Sequence, residues 1–207
     1  MNVMNVWAVP MYQLVWEDHT KHQQELVKVA KNLEKNKYTS GIASSIKQGL
    51  YESGFDFLTV DNPSVQALAE WCKDSVWKAA AQANSKYWSA GDKLGVRIHE
   101  SWCHITGRNG YHDLHQHPMS SWSGIYYIDP GDSNTENKNG VNRFYNPSHL
   151  MYSDPGTDYI SKSTSIDVPP TAGQLIVFPS WVLHSAMPYQ GDDKRIVMAF
   201  NSQIVRG

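Results

Sequence analysis

Two histidines one residue apart, His115 and His117, and a third further along the chain, His184, are the side chains of this sequence best suited to hold a metal ion. On an extended strand residues i and i+2 point to the same face, so His115 and His117 can reach one ion while His184 arrives from a partner strand. Arg195 follows in a stretch rich in Val and Ile. Its planar guanidinium matches a carboxylate in shape and charge and can hold an anionic ligand beside the metal. Asp113, two residues before His115, is the carboxylate that the same strand face offers to the site. Ser123, Tyr126 and Tyr127 supply hydroxyls on a neighbouring apolar run, and alternate residues of such a run face a barrel interior. His104, His112 and His149 carry no assignment.

Strands must position these groups, and the chain changes texture to supply them. The first half reads as helix. Thr20 and Gln23 have the spacing of a capping box, and Leu26, Val29, Ala30 and Leu33 follow at helical intervals, which predicts an amphipathic helix of about four turns. Residues 37–62 read as loops around a brief strand from Phe55 to Val60. Asn62 then caps a second helix opened by Pro63, with Val65, Leu68, Cys72, Val76, Ala79, Ala83 and Tyr87 on one face. From Lys93 onward, short runs of Val, Ile, Tyr, Phe and Trp alternate with turn residues. The expected strands are Leu94 to Ile105, Asp113 to His117, Ser121 to Ile128, Val141 to Tyr145, Thr164 to Val168, Gln174 to Phe178 and Arg195 to Val205. The pattern predicts a mainly β protein with some α, a jelly-roll or cupin-like double-stranded β-helix braced by N-terminal helices. We expect a single domain over 1–207, with helical support in 1–92 and the β-helix core in 93–207. The polar stretch Gly131 to Ser163 has the character of a lid over the site.

Composition narrows the class of partner. The formal net charge is -2, so nothing marks the chain for nucleic acid or for an acidic membrane surface. Cys72 and Cys103 stand apart without CxxC spacing, as buried free thiols in a reducing compartment would. Met1 to Leu14 lacks the basic-then-apolar pattern of an export signal, and no apolar run has the length of a membrane span. These features predict a cytoplasmic protein acting on a small molecule or a peptide, with an aromatic surface able to support a homodimer.

The segments Glu100-Ser101-Trp102, His115-Gln116-His117-Pro118, Trp122-Ser123-Gly124-Ile125-Tyr126-Tyr127-Ile128, the unbroken run from Pro170 to His184, and Arg195-Ile196-Val197-Met198-Ala199-Phe200-Asn201 together resemble the 2-oxoglutarate/Fe(II) oxygenase family, a prolyl-hydroxylase-like group common in marine bacteria and their phages. The match in order, spacing and flanking residues spans residues 100 to 201. A phage origin would place the protein in the host cytoplasm. The resemblance implies a double-stranded β-helix that binds one Fe(II), with 2-oxoglutarate and O2 as cosubstrates. It further implies hydroxylation of a C–H bond in an amino-acid residue or small metabolite, with succinate and CO2 as coproducts.

His115 and His184 then take the two histidine positions of the metal site, and Arg195 anchors the distal carboxylate of 2-oxoglutarate. The family's usual acid stands two residues after the first histidine, where this chain has His117. Three readings of the third position stay open: His117 is itself a ligand, Asp113 supplies a carboxylate, or water or an exogenous anion binds with His117 behind it. The residue two after the arginine is often a hydroxyl donor in related oxygenases and is Val197 in this chain. Tyr127 is the favoured replacement, with Tyr126 and Ser123 as alternatives. Two other functions fit the residues: a three-histidine cupin-type dioxygenase that needs no 2-oxoglutarate, and a non-catalytic β-helix that binds a ligand.

Overall fold

The computed structural model describes residues 8–41, 45–89, 91–148, 154–158 and 164–207. Two helices precede most of the sheet. Helix α1, His19–Lys35, buries Leu26, Val29 and Ala30, the expected apolar stripe. Its cap differs from expectation: the helix starts one residue before Thr20, after Asp18, with no side-chain cap. Gln23 does not turn back to the helix terminus. Its Nε2 donates to the carbonyl of Ile128 at 3.1 Å, so tertiary contact wins over local capping. Helix α2, Pro63–Ala83, begins as read, with Asn62 Oδ1 accepting from the amides of Ser64 and Val65 at 2.9 and 3.3 Å. It ends before Tyr87, which is 80% exposed and belongs to no packed face. Neither helix is long and apolar enough to cross a membrane, as holds for every helix among the described residues.

The strands are β1 (Tyr12–Val15), β2 (Lys47–Glu52), β3 (Leu94–His115), β4 (Trp122–Asp129), β5 (Asn142–Tyr145), β6 (Ser165–Val168), β7 (Gln174–Pro179), β8 (His184–Ala186) and β9 (Arg195–Arg206). They pair antiparallel in the order β1-β7-β4-β9-β3-β8-β5-β6, with β2 added on β3. The brief strand expected at Phe55 to Val60 is instead a 3-10 turn at Phe57–Thr59, whose Phe57 and Leu58 are buried. The strand of that region lies earlier, at Lys47–Glu52, where lysine, glutamine, glycine and glutamate obscure any apolar alternation.

Strand β3 organises the site. It joins two strands that the sequence separates, Leu94 to Ile105 and the run that leads into His115. Its first part pairs with β9, from Leu94 opposite Arg206 to Thr106 opposite Arg195. Its last part pairs with β8, with His112 opposite Ala186 and His115 opposite His184. Between these ladders the pairing with β2 jumps from Tyr111 opposite Gln48 to Thr106 opposite Leu50. The extra residues bend the strand, and two backbone features permit it: Gly49 has φ +64°, and Gly110 lies so close to the Gly49 carbonyl that a Cβ would sit 2.4 Å from it. The sheet thereby curls into the shape of a double-stranded β-helix.

Period-two alternation sorts the side chains into two cores. Trp122, Tyr126, Ile128, Leu175, Val177, Met198 and Phe200 pack against the helices with Leu26, Val65, Leu68 and Val76. Trp102, Ile125, Tyr127, Phe144, Ile176, Phe178, Val197 and Ala199 line the inside of the curl. The stretch read as a lid is partly tied down. Arg143 on β5 makes two bonds to Asp167 on β6, at 2.7 and 2.8 Å, and the amide of Asp132 donates to the Tyr189 hydroxyl. Residues 149–153 and 159–163 of that stretch, His149 among them, lie outside the described residues.

Gly124 on β4 faces Phe200 on β9, and a Cβ at Gly124 would fall 2.2 Å from the Phe200 ring. Phe200 is fully buried, so its ring can yield only by shifting against its packed neighbours. Gly124→Ala is expected to cost about 1–3 kcal/mol through overpacking. Urea denaturation measures it; an unchanged midpoint would mean the ring relocates freely.

Candidate metal centre

One nitrogen from each of His115, His117 and His184 lies within 4.8 Å of the others. Backbone pairing produces this. His115 and His184 are direct cross-strand partners, and their ring centroids are 4.2 Å apart. His117 lies just past the end of β3, where its amide donates to the Ser180 carbonyl at 2.9 Å and its ring centroid stands 5.1 Å from each of the other two.

The rings are prepared to act as ligands. His115 Nδ1 is 2.7 Å from the Asp113 carbonyl and His184 Nδ1 is 2.9 Å from the Val182 carbonyl. A carbonyl oxygen only accepts, so both Nδ1 atoms carry the proton and both Nε2 lone pairs are free for a cation. Burial also keeps the rings neutral. Desolvation pushes His115 down to about 4 and His117, with added repulsion from His115, down to about 3. The same desolvation holds His184 well below its usual range.

Asp113 is not brought into this group. The pairing of β3 with β8 gains a residue between His112 and His115, which breaks the alternation. His112 consequently shares the face of His115, its ring stacked at 3.7 Å and 14°. Asp113 is exposed, and its Oδ1 accepts from the Leu114 amide at 2.7 Å. Among the described residues, the group able to hold a metal is composed of three histidines and no carboxylate.

The same cavity reaches Arg195, which is 2% exposed. Its Nη2 donates to Asn142 Oδ1 at 2.6 Å, and its buried Nε has no partner. Among the described residues no carboxylate pairs with it, and desolvation lowers its pKa. The Tyr127 hydroxyl donates to the same Asn142 oxygen at 2.8 Å, and the guanidinium carbon stands 5.7 Å from the Tyr127 ring centroid. Val197 lines the cavity as an apolar wall.

Tyr126 and Tyr127 separate by strand alternation. Tyr126 points to the helices, where its hydroxyl lies 2.6 Å from His19 Nδ1 and its ring meets Trp16 and Trp71. It cannot reach a ligand beside Arg195, which corrects its assignment as a cosubstrate contact. Ser123 is on the inner face but is engaged elsewhere, 2.8 Å from Asn201 Oδ1 and 2.9 Å from Ser180 Oγ.

Several groups around the cavity were not read from the sequence. Asn142 joins Tyr127 to Arg195, and a period-two count back from Phe144 on β5 would have placed it. His104 Nε2 lies 2.6 Å from Glu52 Oε2, which also pairs with Lys47. Burial works to raise the Glu52 pKa, but these two partners outweigh it and hold the carboxyl below its usual range. His112 Nε2 is buried without a partner. Glu52 and Lys47 come from β2, a strand with no apolar signature, so no local pattern announces them.

Residues 100–201 match the model of the family described as "Putative 2OG-Fe(II) oxygenase". Over this span the chain is identified as a 2-oxoglutarate/Fe(II) oxygenase. Solved structures of low sequence identity share the fold of this oxygenase. A Pseudomonas putida prolyl-4-hydroxylase superposes with TM-score 0.60 at 14% identity, covering 94% of this chain and 93% of that one. The epimerase SnoN of nogalamycin biosynthesis, described as non-haem and α-ketoglutarate dependent, superposes with TM-score 0.65 at 13% identity, over 94% and 76% of the two chains. HygX from Streptomyces hygroscopicus, solved with nickel and 2-oxoglutarate, gives TM-score 0.60 at 10% identity, over 94% and 83%. No curated protein matches the sequence.

In the metal-free oxygenase the three rings stay neutral while the same histidines in the unfolded chain take up protons near their ordinary value of about 6.5. Below that pH the unfolded state binds more protons than the folded one, so stability is lost as pH falls. The thermal midpoint of metal-free protein is expected to fall between about pH 7 and pH 5, with a shallower slope in His115→Gln. A level midpoint across that window would show that the rings protonate within the fold.

Proposed function

We propose that this oxygenase holds Fe(II) on His115, His117 and His184 and 2-oxoglutarate on Arg195, and hydroxylates a C–H bond of an amino-acid residue or small metabolite. One observation carries the reading: a buried guanidinium that has no carboxylate partner among the described residues shares a cavity with three neutral imidazoles. An unpaired buried charge is costly, so the cavity is complete only with an anion beside Arg195. The free Nε2 lone pairs of His115 and His184 fit a divalent cation at the other end.

When bound, the metal and the oxoacid supply oxidation: 2-oxoglutarate and O2 become succinate and CO2 as one oxygen atom enters the substrate C–H bond. The chain's own residues bind and orient. Arg195 offers its fork to the distal carboxylate, with the Tyr127 hydroxyl in reach of the same position through Asn142. Phe178 and Phe144 pack against the His184 ring at centroid distances of 4.8 and 5.7 Å and exclude water from that side. Proteins that share this fold include a prolyl-4-hydroxylase and an epimerase of nogalamycin biosynthesis. A peptidyl or small-molecule substrate is consistent with both.

A three-histidine dioxygenase without an oxoacid would leave the Arg195 charge buried and unanswered, which favours the cosubstrate reading. Anaerobic addition of 2-oxoglutarate to the Fe(II)-loaded protein is expected to produce a visible charge-transfer band. Truncating one partner of a buried charge pair costs about 2–5 kcal/mol, so Arg195→Ala should weaken 2-oxoglutarate binding by about 30-fold or more. Substrate turnover that continues unchanged without 2-oxoglutarate would overturn the proposal in favour of the three-histidine dioxygenase.

A further inference from the structure

His117 differs from the other two histidines in what faces its Nδ1. For His115 and His184 the neighbour is a main-chain carbonyl. For His117 it is the side-chain amide nitrogen of Asn201, at 3.4 Å. Strand register sets a carboxylate and a hydroxyl against that amide, and the carboxylate fixes its orientation. Asn201 on β9 lies opposite Glu100 on β3 and opposite Ser123 on β4. Its Nδ2 donates to Glu100 Oε2 at 2.9 Å, and its Oδ1 accepts from Ser123 Oγ at 2.8 Å. A carboxylate accepts only, so turning the amide over would set its oxygen against the Glu100 oxygen. Asn201 is 5% exposed, which leaves no solvent to absorb that mismatch.

An amide nitrogen has no lone pair to offer a proton. Its contact with His117 Nδ1 is favourable only when Nδ1 is the acceptor, and the neutral ring then carries its proton on Nε2. We infer that Glu100 and Asn201 are positioning residues that hold His117 in the tautomer opposite to that of His115 and His184, making it the exchangeable member of the triad. The inference rests on the ligand set proposed above. For His117 to coordinate through Nε2, that nitrogen releases its proton to solvent, Nδ1 takes one up, and the Asn201 amide gives way. His115 and His184 need no such rearrangement, so they form the permanent part of the site. The carboxylate nearest the third ligand is that of Glu100, two side chains further out than the family's usual acid would stand, and it acts on His117 through the Asn201 amide.

Long-range 1H–15N correlation spectra of the metal-free, 15N-labelled protein read each tautomer directly. Nδ1–H is expected for His115 and His184, and Nε2–H for His117. The double variant Glu100→Gln with Asn201→Asp exchanges carboxylate and amide while keeping the pair's net charge. The carboxylate introduced at position 201 would then accept from His117 Nδ1–H, so His117 should switch tautomer, and Zn(II) affinity of the metal-free protein should rise about tenfold, as outer-sphere partners commonly tune it. Nδ1–H on His117 in the unaltered protein would overturn the inference, whether or not the variant folds. An exchanged pair that folds and leaves both tautomer and affinity unchanged would do so too. Zn(II) uptake surviving His115→Ala would instead count against the proposed metal site and leave the tautomer result standing.

Discussion

Strand β3 is bonded to β9 along its first part and to β8 along its last residues, and the site depends on that change of partner. A strand that kept one partner would run straight and leave His115 far from any second layer. The bend beside Gly49 and Gly110 carries the chain from the helix-backed part of the sheet to the smaller part formed by β8, β5 and β6. His115 arrives opposite His184 because of it. Arg195 sits opposite Thr106, at the last β9 pair before the bend. The helices on the other face brace this arrangement through Trp122, Tyr126, Met198 and Phe200, side chains that alternate along the same strands with those lining the cavity.

Electrostatics complete the picture. Three neutral imidazoles bring no negative charge to a metal dication, and Arg195 adds a buried positive charge nearby. A cavity of that composition is matched by an anionic ligand that touches both ends. With the proposed ligand set the site would differ from one with a carboxylate in direct contact with the metal: neutralisation would fall to the bound ligand and to Glu100 behind Asn201.

Much of this was legible in the sequence because it obeys simple periods. The helical stripes of α1 and α2, the strands β4, β7 and β9, and the co-facing of His115 and His117 follow from spacings of three to four or of two residues. What was not legible lies where a period breaks or where a partner is remote. The residue gained between His112 and His115 reverses the faces of His112 and Asp113, and no local rule signals it. Glu52 reaches His104 from a strand that lacks apolar alternation. Thr20 and Gln23 had the right spacing for a cap, but Gln23 bonds Ile128, a residue over a hundred positions away. The sequence favours Tyr127 over Tyr126 with no means to tell their faces apart, and the register of β4 assigns each its own.

The pairing of Thr106 with Arg195 and of His115 with His184 has a further consequence. Both pairs hang on one strand, so main-chain hydrogen bonds fix the separation of the His115 and Arg195 backbones, and Asn142 holds the guanidinium in place. Backbone geometry of that kind is a rigid ruler. In the proposed binding mode a diacid one methylene shorter or longer would satisfy one end and strain the other, so the fold itself would set the length of acid the cavity accepts.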